Sequence, residues 1–122
     1  MLKTYRELVV WQKAFQLCTN VYQLTKRFPS DERFGLTTQL RRAAVSIPSN
    51  IAEGYNRSTT RDYLRFLWIA NGSLAEIETQ LMLAGELGFA ARGDLSETLE
   101  SVAEVDRILR ALMRSLKAKE RK

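Results

Sequence analysis

The chain has no histidine and a single cysteine, Cys18, among its 122 residues. The first absence removes the commonest general base and metal ligand, and with it the usual partner of hydrolytic and nucleophilic triads. The second excludes an internal disulfide and any multi-cysteine metal site. Only two prolines and six glycines punctuate the chain, and no segment alternates apolar and polar residues, so helices are expected to dominate. No run of about 18 apolar residues exists to cross a membrane. The N-terminal MLKTYRELVVWQKAF scatters charges and offers no small-residue cleavage site, which argues against a signal peptide and for the cytoplasm.

What is present is basic and unevenly placed. The formal net charge is +5. From Val105 to Lys122 there are seven cations against two anions, while the preceding residues carry twelve of each. Arg33 to Arg65 holds six arginines against Glu53 and Asp62, and Phe66 to Glu104 holds seven acids against Arg92. Two basic zones therefore flank an acidic one.

Four helices follow from the apolar spacing. The first is expected over residues 5–27, with Trp11, Ala14, Phe15, Cys18, Val21, Tyr22 and Thr25 at helical intervals. Phe28-Pro29-Ser30 ends it, and Ser30 is placed to cap a second helix over residues 31–55. Thr59 with Asp62 resembles a capping pair opening a third helix over 59–87, and Asp94 with Glu97 another opening a fourth over 94–117. The last residues, 117–122, form a basic tail with nothing apolar to bury, where fraying is expected. Short connections between long helices favour a single all-α domain, an up-down-up-down antiparallel four-helix bundle.

The second helix contains the most distinctive stretch, QLRRAAVSIPSNIAEG from Gln39 to Gly54. Leu36, Leu40, Ala43, Ala44, Ile47 and Ile51 make one apolar stripe, with Pro48 inside it. A proline there removes a hydrogen bond to the carbonyl of Ala44 and predicts a kink at Pro48, with Ser46, Ser49 and Asn50 suited to compensate. The third helix is apolar on more than one side: Leu64, Leu67, Trp68, Ala75 and Met82 widen its stripe. Self-association explains that width, and a central helix touching several others explains it too.

Chemistry has few candidates. Glu53, Asp62, Glu76, Glu78 and Glu86 have no histidine beside them, and Glu76 and Glu78 point about 200° apart on a helix, so they cannot share a metal. Glu53 with Arg57 and Asp62 with Arg65 are spaced for local ion pairs. Cys18 lies on an apolar face and reads as a small buried hydrophobe. No catalytic residue, cofactor or metal site is assigned, and no enzyme is expected. Thirteen of the nineteen cations are arginine, the residue that grips phosphate bidentately and stacks on bases. Arg61 and Arg65 step along one helix face beside Trp68, and Arg107, Arg110 and Arg114 form a second row. Nucleic-acid binding and a solvated, salt-bridged surface both account for such rows.

Three stretches, ELVVWQKAFQL, FPSDERFGLTTQLRRAAVSIPSNIAEG and RDYLRFLWIANGSLAEIETQL, resemble the four-helix-bundle proteins encoded by intervening sequences inside bacterial 23S ribosomal RNA genes. The resemblance covers about Tyr5 to Phe89. It implies a homopentamer, and it brings in the similar accessory proteins of diversity-generating retroelements, which bind RNA and a reverse transcriptase. Arg41, Arg42, Arg57, Arg61 and Arg65 lie inside the matching stretches. With Arg107, Arg110 and Arg114 they form the expected nucleic-acid contact set. The expected function is an oligomeric RNA-binding module, or alternatively a protein-interaction scaffold for a nucleic-acid enzyme such as a reverse transcriptase.

Overall fold

The stripe Leu40, Ala44, Ile47 and Ile51 recurs every three or four residues, and each of these side chains is fully buried. Equivalent stripes on three other helices meet it in one core. The computed structural model describes residues 2–120, so Arg121 and Lys122 of the basic tail lie outside it. Its α-helices are α1 (Val9–Thr25), α2 (Leu36–Tyr55), α3 (Thr60–Glu86) and α4 (Arg92–Glu120), and the described residues contain no strand. Each helix packs against its neighbour in the chain and α4 closes back on α1, with no close backbone approach along either diagonal among the described residues, the arrangement of an up-down-up-down four-helix bundle.

Local chemistry sets the helix starts, and three differ from the spacing-based expectation. Tyr5–Glu7 forms a separate 3-10 turn: the Thr4 hydroxyl accepts from Arg6 N–H, and the Glu7 carboxylate accepts from Thr4 N–H. Leu8 then turns extended, so α1 begins at Val9. Ser30 does not cap α2. Pro29 leads instead into a 3-10 turn over Ser30–Glu32, Gly35 takes the cap position, and Glu32 Oε1 accepts the Leu36 N–H at 3.1 Å. In α4 the helix opens two residues early, at Arg92; Asp94 sits within the first turn and pairs with Arg27 across a 2.6 Å contact. Thr59 caps α3 as its spacing suggests, its hydroxyl accepting from Asp62 N–H at 3.1 Å. The α4 helix continues through Lys117 to Glu120, three residues past its expected end.

α3 ends in a Schellman-type turn. Phe89 N–H reaches the Ala84 carbonyl and Gly88 N–H that of Gly85, with Gly88 at φ +73°. Phe89 then packs against Phe28, ring centroids 5.7 Å apart, closing that end of the bundle.

α2 is helical throughout its length with Pro48 inside it. Next to the proline, Asn50 Nδ2 donates to the Ser46 carbonyl at 2.7 Å and its hydroxyl at 3.0 Å. The Ser46 hydroxyl in turn lies 2.8 Å from that of Ser73 on α3. These polar residues tie α2 to α3 beside the proline. Gly54 lets the same two helices approach closely, since a Cβ there would stand 2.9 Å from the Phe66 Cβ.

α1 carries two apolar stripes. The core takes Val10, Ala14, Leu17, Val21 and Leu24. Trp11, Phe15, Cys18 and Tyr22, four of the residues whose spacing marked the helix, lie outside that stripe, and Phe15 is 52% exposed.

Candidate nucleic-acid interface

Guanidinium groups are held in place by their aliphatic stems, by neighbouring rings and by local carboxylates, and what remains unpaired is free for a ligand. At the α2–α3 turn, Arg57 and Arg65 converge on Phe66, with guanidinium carbons 4.6 and 4.9 Å from the ring centroid. Arg57 also reaches Glu53 at 3.4 Å and Arg65 reaches Asp62 at 3.8 Å, the two ion pairs expected from spacing. Arg61 lies between them in sequence, is exposed, and makes no ion pair among the described residues.

α4 brings the second row to the same side. Asn71 Nδ2 donates to Asp106 Oδ1 at 3.0 Å, which sets the α3/α4 register, and both oxygens of Asp106 accept from Arg110 Nε at 3.1 Å. Antiparallel packing then places Arg114 near the height of Arg65. Trp68, Arg110, Met113, Arg114 and Lys117 line one shallow cleft of about 90 Å³ between the helices. Lys117 Nζ stands 4.8 Å from the Trp68 ring centroid. The indole's cation is therefore this lysine from α4, not the arginines of its own helix. Lys117 is the member of the cluster that the arginine rows did not reveal; its signal was the lone lysine continuing the 107, 110, 114 spacing.

The expected contact set is split by the fold. Arg57, Arg61, Arg65, Arg110 and Arg114 gather at the end of the bundle that holds the α2–α3 turn. Arg107, one turn away along α4, is exposed and unpaired among the described residues. Arg41 and Arg42 stand at the opposite end of α2, about 24 Å from Arg57 by helical rise. Arg41 is committed to α1: Nε donates to Thr25 Oγ1 at 2.8 Å, and the guanidinium carbon lies 4.6 Å from the Tyr22 ring centroid. Arg42 is exposed.

Two groups depart from their ordinary titration. Burial raises the Cys18 thiol above its ordinary value, as suits a half-buried apolar cysteine. Burial, and secondarily the charge of Tyr55, pushes Tyr63 up to about 12. Among the described residues no group of three or more His, Cys, Asp or Glu gathers to hold a metal ion, and no helix is long and apolar enough to cross a membrane. What the basic facet offers chemically is a set of cationic N–H donors able to bond phosphate oxygens beside one half-exposed indole.

The sequence matches the family model of the 23S rRNA-intervening sequence protein over residues 6–111. No curated protein matches it. Among solved structures, a crystal structure of a protein of unknown function from the S23 ribosomal protein family of Bacteroides thetaiotaomicron superposes with a TM-score of 0.81 at 22% identity. That alignment covers 87% of this chain and 96% of the other, and it shows a shared fold. With a family match across most of its length, the chain belongs to the 23S rRNA-intervening sequence protein family.

Proposed function

We propose that the protein is a non-enzymatic, self-assembling cytoplasmic module that binds RNA electrostatically through the basic facet of α3 and α4. The observation that carries this reading is the gathering of Arg110, Arg114 and Lys117 of α4 beside Trp68 of α3, with Arg61 and Arg65 exposed on the preceding turns of α3. Asp62 and Asp106 neutralise only Arg65 and Arg110. Arg61, Arg114 and Lys117 keep their charge for a ligand, and the half-exposed indole beside them suits a base of a single strand. Such a facet reads phosphate and shape, not sequence. The family's link to an rRNA intervening sequence supports RNA over an acidic protein surface.

Self-assembly is the second part of the proposal. A homopentamer, the state implied by the sequence resemblance, would repeat the facet around an axis and multiply weak single-site contacts.

The test is direct. The double variant Arg61→Glu/Arg114→Glu is expected to lose most of its affinity for a fluorescein-labelled single-stranded RNA while keeping its helical circular dichroism. Undiminished affinity in that variant contradicts the proposed facet. A wild-type protein that ignores RNA but retains an acidic protein partner in a pull-down favours the scaffold alternative.

A further inference from the structure

Between α1 and α2 lies an open apolar trough of about 550 Å³, lined by Trp11, Phe15, Cys18, Tyr22, Val45 and Pro48 among others. None of the described residues covers it. Its far end runs into a second hollow where Arg41 and Arg42 stand. A groove between two helices is the natural seat for a third. Elsewhere on the bundle, one helix presents an unpartnered apolar face: Ile69, Met82 and Leu83 of α3 are each more than 40% exposed, and Met82 is 61% exposed. Gly72 and Ala75 lie between them on the same side, and a Cβ at Gly72 would meet nothing within 4 Å. That combination of apolar edges around small residues allows close helix approach.

We infer that the α1/α2 trough of one copy receives the outer face of α3 from a second copy. This rests on the self-assembly reading above and names the surfaces that carry it.

Lengths and charges agree with that occupant. Ile69 to Leu83 spans about 21 Å along α3, and the trough with its second hollow runs as far along α2, from Ala52 to Thr38. Two hydrogen bonds fix the height of each residue along the bundle: Gln80 Nε2 to Gln39 Oε1 at 3.3 Å, and Ser46 to Ser73 at 2.8 Å. Counting from Gln39 and Gln80 puts Arg42 and Glu76 within about 1.5 Å of the same height. Rotation about an axis parallel to the helices preserves height, so in a closed ring Glu76 of each copy stands at the height of Arg42 of the next. Charge complementarity thus falls at the exposed rim, and the apolar residues fall inside it. Because trough and α3 face are different patches, the contact is head-to-tail and generates a ring if the rotation closes. Arg61 and Arg65 lie nearer the α2–α3 turn than the trough's lining and stay open, whereas Arg41 and Arg42 leave the RNA contact set.

Head-to-tail geometry permits a complementation test by light scattering. Phe15→Glu spoils the trough and leaves α3 intact; Ile69→Glu does the reverse. Both substitutions are at exposed positions and spare the core. Wild type is expected to be oligomeric, each variant alone to have the mass of one chain, and an equimolar mixture to form a species of two chains through its one intact junction. That recovery also shows both variants to be folded. An oligomeric wild type whose mass neither variant changes overturns the inference and leaves self-assembly to another face. A mixture that stays at one-chain mass overturns it too. A wild type with the mass of one chain, its trough serving a foreign protein or RNA, overturns both the inference and the self-assembly reading.

Discussion

Ser46 and Ser73 face each other across the α2/α3 contact with their hydroxyl oxygens 2.8 Å apart, and Asn50 holds the Ser46 side chain from below at 3.0 Å. Ser73 is buried, so its hydroxyl has no easy substitute in solvent. Ser73→Ala is expected to lower stability by about 1 kcal/mol, the net value of one such bond. Urea unfolding of Ser46→Ala, Ser73→Ala and the double variant checks it. The double variant should cost less than the two singles summed, because both remove the same interaction.

Two helical glycines are predicted to respond with opposite sign. Gly54→Ala forces a Cβ to 2.9 Å from the Phe66 Cβ and 3.1 Å from Tyr63 Cδ1. Overpacking of that kind costs about 1–3 kcal/mol, more than alanine's helical advantage returns. Gly72→Ala meets nothing within 4 Å, and in the isolated chain it should gain up to about 1 kcal/mol. Thermal unfolding of both variants compares them.

The Tyr63 phenol predicts an alkaline limb of instability. Its folded value is raised to about 12 by burial first and the charge of Tyr55 second, and its hydroxyl has no hydrogen-bond partner among the described residues. An unfolded tyrosine titrates near about 10. Above that pH the unfolded chain releases the proton while the folded one retains it, so stability is full below about pH 10 and declines as pH rises toward about 12. Urea midpoints between those limits should fall less in Tyr63→Phe than in wild type.

Much of this was legible in the sequence, and the misses have physical causes. The core stripe of α2 and the Thr59 cap are local, and their spacing expressed them. α1 misled because it has two stripes: aromatic residues at 11, 15 and 22 mark the trough, while the smaller Val10, Ala14 and Val21 join Leu17 and Leu24 in the core. The start of α2 was missed because Glu32 caps from four residues ahead of Leu36, beyond a 3-10 turn that apolar periodicity does not register. The arginine set read as one zone from Arg41 to Arg65, but an antiparallel helix carries its two ends to opposite ends of the bundle. Lys117 joins Trp68 only through the α3/α4 register, a tertiary fact.

Arg42 and Glu76 provide a charge-exchange prediction for assembly. Arg42→Glu and Glu76→Arg should each weaken the oligomer, by about 0.2–1 kcal/mol per junction as expected of a rim pair. The combined variant should return toward wild type. Sedimentation velocity across a protein dilution series measures the shift.

The central claim, that α3 and α4 present a phosphate-binding facet, is tested most directly by the salt dependence of RNA binding. Fluorescence anisotropy with labelled single-stranded RNA at increasing salt should give a log–log slope of about −2 or steeper, since each phosphate contacted contributes about −0.7. Removing two contacts in Arg61→Glu/Arg114→Glu should make that slope shallower by about 1.4. A wild-type Kd weaker than about 100 μM at low salt, or binding indifferent to salt, contradicts the account.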